Sequence, residues 1–210
     1  MNIYKVFIVD DHAIVRSGII NIVDQENNME VIGSAESFEE TIEKLKKMKA
    51  DIILVDINLK DRSGLDLISE LKCRYPDLPA LVLSMYDEFY YAPKALSVGA
   101  KGYIMKSDNP DKIIDGINKI LNGETYFCDS LNDYIGENQE EIVDNVVKLL
   151  SVRELEIFRF FGLGYSTKDM AKKLCISTKT VQTYSDRIRT KLGLKSSNDL
   201  VRSAVKWLQL

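Results

Sequence analysis

Cysteine is scarce in this 210-residue chain: Cys73, Cys128 and Cys175 lie far apart and form no C-x-x-C pair. That spacing excludes a disulfide scaffold and a thiolate zinc site, and it fits a reducing, cytoplasmic setting. Histidine is scarcer still. His12 stands alone, which rules out a His-rich metal centre. Long hydrophobic runs are missing too; stretches such as Ile52–Val55 are far too short to span a bilayer. The start, Met1–Asp10, carries one Lys and an early acidic residue, unlike a signal peptide. No G-x-G-x-x-G follows an apolar run and no G-K-[ST] is present, so neither a dinucleotide fingerprint nor a P-loop is available. What is present is a globular balance, 45% hydrophobic and 29% charged, which argues against a disordered chain.

The net charge of −4 hides an asymmetry. Residues 1–128 carry −6, residues 129–148 carry −5 and residues 149–210 carry +7. A basic C-terminal segment on an acidic chain suggests a module that binds a polyanion; the alternative is a solvated Lys/Arg surface.

Hydrophobic patterning divides the chain at the same place. Short β-branched runs (Tyr4–Val9, Glu30–Gly33, Ile52–Val55, Ala80–Leu83, Gly102–Met105) read as strands. Between and after them, Ala13–Gln25, Phe38–Lys49, Gly64–Tyr75, Glu88–Val98 and Asp111–Leu121 show helical spacing. Five such units predict a doubly wound, five-stranded parallel α/β sheet over residues 1–125. Strands apolar throughout, such as Ile52–Val55, are what helices on both faces require. Residues 126–148 read as an acidic linker with one short helix. From residue 149 on the strand pattern is gone, and 149–210 is predicted as a small all-α domain of four helices. Ser151 with Glu154 forms a capping box stapled by Leu150 and Leu155. Ser166 with Asp169, and Ser177 with Thr180, start two more helices, and a fourth is expected over Ser197–Trp207.

In an open α/β sheet, ligands gather at the carboxyl ends of the strands. There stand Asp10 and Asp11 after the first strand, Asp56 after the third, Ser84 at the end of the fourth and Lys106 after the fifth. Three carboxylates with one lysine need a hard dication, and oxygen donors suit Mg²⁺. A carboxylate beside such an ion can attack phosphorus and form an acyl phosphate. The ion and the lysine then offset charge on the transferring group, and Ser84 donates to it. Any one of these aspartates alone would be a turn former or helix cap; together, at the ends of four strands, they point to a site. His12, beside two aspartates at a helix start, reads as a capping or packing residue.

Val9-Asp10-Asp11-His12, Leu54-Val55-Asp56-Ile57-Asn58, Leu83-Ser84 and Gly102-Tyr103-Ile104-Met105-Lys106 resemble the signature of CheY-like receiver domains. Leu150-Ser151-Val152-Arg153-Glu154, Ser177-Thr178-Lys179-Thr180-Val181 and Lys191-Leu192-Gly193-Leu194 resemble the LuxR-type helix-turn-helix. In this order, with Gly123-Glu124-Thr125-Tyr126-Phe127 between them, they are similar to the NarL/FixJ family of two-component response regulators over nearly the whole chain. The resemblance implies a transcriptional regulator rather than an enzyme. It implies Asp56 as phosphoacceptor and Asp11 and Asp56 as direct Mg²⁺ ligands. Asp10 would act largely through water, and Asn58 would contribute its backbone carbonyl. Ser84 and Lys106 would contact the phosphoryl group, and Tyr103 would be an aromatic switch that follows the Ser84 hydroxyl. The partners implied are a sensor histidine kinase, double-stranded promoter DNA, a second copy of the chain in the active state, and RNA polymerase as a further candidate; no membrane is involved.

With Ser177 as N-cap, Val181, Tyr184, Ile188 and Leu192 share one face of a helix running to Leu192. Lys179, Gln182, Thr183, Asp186 and Thr190 point the other way, with Arg187, Arg189 and Lys191 on the flanks and Thr180 beside them at the start. Amides and hydroxyls can read base edges while flanking cations meet phosphates. Gln182 suits adenine and Arg189 suits phosphate. Three features depart from the family pattern: Tyr184 where His is common, Asp186 on the reading face, and the pair Ser196-Ser197 where a pair often includes Arg. A competing reading, a haloacid-dehalogenase-type phosphatase, needs D-x-D directly after the first strand, where this chain has adjacent Asp10-Asp11.

Overall fold

The computed structural model of the chain describes residues 3–60, 62–127, 146 and 149–208. It divides into two compact units, Met1–Ile142 and Val143–Leu210, and each is described by itself. Apart from Tyr126, Phe127 and Val146, the expected acidic linker with its short helix lies outside the described residues.

The first unit alternates β1 (Tyr4–Val9), α1 (Ala13–Asp24), β2 (Met29–Ala35), α2 (Phe38–Leu45), β3 (Ile52–Asp56), α3 (Gly64–Arg74), β4 (Ala80–Ser84), α4 (Glu88–Ser97), β5 (Gly102–Met105) and α5 (Asp111–Leu121). The strands form one sheet in the order β2-β1-β3-β4-β5, parallel at every pairing. β3 and β4 are buried along their whole length, as their uninterrupted apolar sequences require. One core cluster joins the sheet to α1 and α5 through Ile8, Ile19, Leu54, Leu83, Ile104 and Ile117. The order reverses between β1 and β3. Asp10 and Asp56 stand at the carboxyl ends of these two strands, the place where open α/β sheets gather ligands.

Two segments differ from the sequence expectation. α2 ends at Leu45 rather than Lys49: beyond Leu45 the chain turns at Lys44–Lys47, and Asp51 then accepts from the Lys5 amide to start β3. Tyr126 and Phe127, expected in the linker, belong to the sheet edge. Tyr126 bridges Gly102, its carbonyl accepts from the Tyr103 amide at 2.8 Å, and Phe127 is buried.

The second unit contains α6 (Val152–Gly162), α7 (Thr167–Lys173), α8 (Thr178–Lys191) and α9 (Ser197–Trp207). Each helix start is a serine cap: Ser151, Ser166, Ser177 and Ser196 accept from the amides of Glu154, Asp169, Thr180 and Asp199. Ser151 with Glu154 is a full capping box, and so is Ser196 with Asp199. Leu155, Phe158, Met170, Val181, Ile188 and Leu200 are buried at the centre. α6 and α9 come so close at Gly162 that a Cβ there would lie 2.7 Å from the Ala204 carbonyl oxygen. Between α7 and α8 the chain turns through Cys175, whose φ of 52° is left-handed.

Candidate functional site

The carboxyl ends of β1, β3, β4 and β5 bring Asp10, Asp56, Ser84 and Lys106 to one pocket. Asp10, Asp56 and Ser84 are all but sealed from solvent, while Asp11 is half-buried. Lys106 Nζ lies 2.7 Å from Asp10 Oδ2 and 2.7 Å from Asp56 Oδ2, bridging the two buried carboxylates. The Asn58 amide approaches Asp56 Oδ1 at 3.3 Å. Gly64 permits this turn, because a Cβ there would fall 1.9 Å from the Asp56 carbonyl oxygen.

Burial pushes the Asp56 carboxyl above its ordinary range; Lys106 opposes the shift and Asp10 reinforces it. Oxygen and nitrogen donors of Asp10, Asp11, His12 and Asp56 lie within 4.8 Å of one another. Three carboxylates against one lysine leave this pocket electronegative, and its oxygen-rich donor set fits a hard divalent cation.

His12 departs from the expectation of a cap or packing residue. It occupies the N-cap position of α1, but its side chain caps nothing and is 64% exposed. Its Nδ1 turns into the cluster instead, 2.7 Å from Asp11 Oδ1 and 3.5 Å from Asp10 Oδ1. Two carboxylates attract an imidazole more strongly than a helix end does.

The β4 and β5 ends are coupled by hydrogen bonds. Ser84 Oγ accepts from the Tyr86 amide at 3.0 Å, and the Lys106 amide donates to the Ser84 carbonyl. Tyr103 is 1% exposed, and its hydroxyl donates to the Tyr86 carbonyl at 2.9 Å. Burial raises its pKa far above the tyrosine range, so it stays a neutral donor, with the Ser84 side chain among its partners. The Tyr86 hydroxyl reaches across to Asn58 Oδ1 at 3.1 Å and its ring stacks on Tyr91. Sequence reasoning missed Tyr86, because nothing in its local pattern marks a cross-strand partner.

In the second unit, Lys179, Gln182, Thr183, Asp186, Arg187 and Thr190 are exposed on α8. Val181 and Ile188 are buried, Tyr184 and Leu192 are half-buried, and Ser185 joins the inner face. The Thr180 hydroxyl pairs with Ser177 at 2.8 Å. Lys191, expected on the flank, reaches Glu154 of α6 at 2.6 Å. Arg189 pairs with Asp186, and Arg187 lies over the Tyr184 ring.

Residues 6–118 match the response regulator receiver domain, and residues 148–204 match bacterial regulatory proteins of the luxR family. The chain is a response regulator of the NarL/FixJ family. Among its relatives is the oxygen regulatory protein NreC of Staphylococcus aureus, 36% identical over 96% of this chain and 97% of that protein. Among solved structures, RcsB of Salmonella enterica serovar Typhimurium, bound to a promoter in the presence of a phosphomimetic, covers 97% of this chain and 98% of that one. It is 27% identical, with a TM-score of 0.62. A structure of two RcsB dimers bound to two parallel DNAs covers 96% and 97% at 26% identity and a TM-score of 0.56. This response regulator thus joins a receiver to a LuxR-type helix-turn-helix, the organisation of two-component transcription regulation. Among the described residues, no helix is long and apolar enough to cross a membrane.

Proposed function

We propose that a histidine kinase phosphorylates Asp56, and that this controls dimerisation and sequence-specific binding of promoter DNA by the C-terminal unit. The observation that carries the reading is the bridging of buried Asp10 and Asp56 by Lys106 at 2.7 Å to each. The pocket holds a nucleophilic carboxylate beside a fixed cation, with a hydroxyl at Ser84 for the incoming group. An Asp56 oxygen attacks the phosphorus of a phosphohistidine, and the bond to the imidazole nitrogen breaks with its electron pair. Asp10, Asp11, Asp56 and the Asn58 carbonyl would hold Mg²⁺, which when bound neutralises charge on the phosphoryl oxygens. Lys106 then exchanges a carboxylate for a phosphoryl oxygen, and Ser84 donates to another. Because the Tyr86 amide and the Tyr103 hydroxyl are tied to this strand end, a shift of Ser84 reaches both aromatic residues.

The functional boundaries are 1–125, 126–148 and 149–210, with Tyr126 and Phe127 of the middle segment seated on the receiver's sheet edge. In the last segment, Lys179, Thr180, Gln182, Thr183, Asp186, Arg187, Arg189 and Lys191 form the DNA-facing set. RcsB's complexes with promoter DNA and its dimers support these partners here. RNA polymerase is the next partner of a bound regulator, and the cytoplasm is where kinase, promoter and polymerase meet. The chain is a regulator whose only chemistry is on its own Asp56. Intact-mass measurement after incubation with acetyl phosphate and Mg²⁺ tests the reading. The wild-type chain is expected to gain one phosphoryl group and Asp56→Asn none; equal labelling of both would place the acceptor elsewhere.

A further inference from the structure

Asp186 lies on the exposed face of α8, 53% exposed, and is not isolated there. Its carboxylate accepts from the Arg189 guanidinium, three residues on, and from the Gln182 amide, four residues back, at 3.5 Å. These are the spacings at which helix side chains meet. Arg189 is 28% exposed, and its Nε, shielded from solvent, has no acceptor among the described residues. The pose is therefore one from which Arg189 gains by moving to a better acceptor.

We propose that Asp186 is a specificity-determining residue that withholds Gln182 and Arg189 from DNA until the right base pair releases them. The inference rests on α8 being the DNA-reading helix. On an arbitrary duplex, drawing Arg189 to a phosphate strips Asp186 of its cation and leaves a bare carboxylate facing a polyanion. Where the major groove presents a cytosine amino group, that donor satisfies Asp186. Arg189 is then free for phosphate and Gln182 for a base edge, so three contacts form together. The acid lowers affinity for DNA in general and raises the contrast between sites. An exposed pair is weak, so the effect is modest in affinity and clearest in selectivity.

The test uses the full chain with acetyl phosphate and Mg²⁺, a pool of random-sequence duplexes, and the duplexes the wild-type chain enriches from that pool. Asp186→Asn is expected to bind the unselected pool about three- to tenfold tighter. Its log–log salt slope should steepen by about one, and its advantage for enriched duplexes should shrink. Duplexes enriched by the variant should lose a preference for cytosine at one position of each half-site. In an Arg189→Ala background the same substitution should bring little gain, because no cation remains to release. Unchanged pool affinity, slope and sequence preference would overturn the proposal, as would a full gain without Arg189, which would make Asp186 a simple repelling charge. Should the wild-type chain enrich no sequence at all, the reading of α8 itself falls, and the proposal with it.

Discussion

Two buried carboxylates, one in each unit, sit beside a lysine, yet their partners move them in opposite directions. Asp56 shares Lys106 with Asp10, and its carboxyl is held above the ordinary range. For Glu154 burial also pushes upward, but Lys191 and the Ser151 amide and hydroxyl outweigh it and hold its carboxyl below the ordinary range. Glu154 has three donors to itself, completing a helix cap and tying α8 to α6. Asp56 has half a lysine and a like charge beside it. The first arrangement stabilises a fold; the second stores unfavourable charge that a cation and a phosphoryl group can relieve.

The strongest way to break the receiver side of this contrast is to remove the space under Asp56. In Gly64→Ala the new Cβ meets backbone, which cannot swing aside. A stability loss of about 3 kcal/mol, the upper end of overpacking costs, is expected from chemical denaturation. Glu154→Ala comes next. It removes the carboxylate half of the capping box, strips the Ser151 amide of its acceptor and leaves Lys191 without its partner, at an expected cost of about 2 kcal/mol, discounted because Lys191 is partly exposed. Asp56→Asn should do the reverse. In metal-free buffer at neutral pH it relieves the like-charge contact with Asp10, and a gain of about 1 kcal/mol is expected.

The smallest effect sharpens the comparison most. A carboxyl raised in the folded state, such as Asp56, contributes stability below its unfolded pKa that is lost as pH rises through the folded value. A carboxyl lowered in the folded state, such as Glu154, contributes stability above its unfolded pKa that is lost as pH falls through the folded value. On acidification, amide exchange corrected for intrinsic rate should therefore slow near Asp56 as pH falls toward the ordinary carboxylate range, and quicken around Ser151–Leu155 once pH falls below it. Parallel changes in the two units would remove the distinction.

Much of this was legible in the sequence because the signals are local. The apolar β-branched runs stop sharply at Asp10, Asp56 and Ser84, so the sequence itself puts the pocket's members at strand ends. Serine caps three residues ahead of Glu154, Asp169 and Thr180 mark the starts of α6, α7 and α8, and the same spacing at Ser196 and Asp199 marks that of α9. What was not legible depends on partners distant in sequence. His12 turns to its chain neighbour Asp11 within a cluster that Asp56, at the end of β3, completes at 4.0 Å. Tyr86 reaches Asn58, and Lys191 reaches Glu154, across 28 and 37 residues. Ser185 packs inward beside the expected face of Val181, Tyr184, Ile188 and Leu192, because at helical spacing both Tyr184 and Ser185 flank the buried stripe. Asp186 was recognised as out of place on a reading face, but its bonds to Gln182 and Arg189 depend on side-chain geometry that spacing alone does not give.

The most direct test of control through Asp56 is the affinity of the full chain for an enriched duplex, with and without acetyl phosphate and Mg²⁺, in wild type and Asp56→Asn. The donor should tighten binding by the wild-type chain by about tenfold or more and leave the variant unchanged. An equal gain in both, or none in the wild type, would contradict control of DNA binding through this residue.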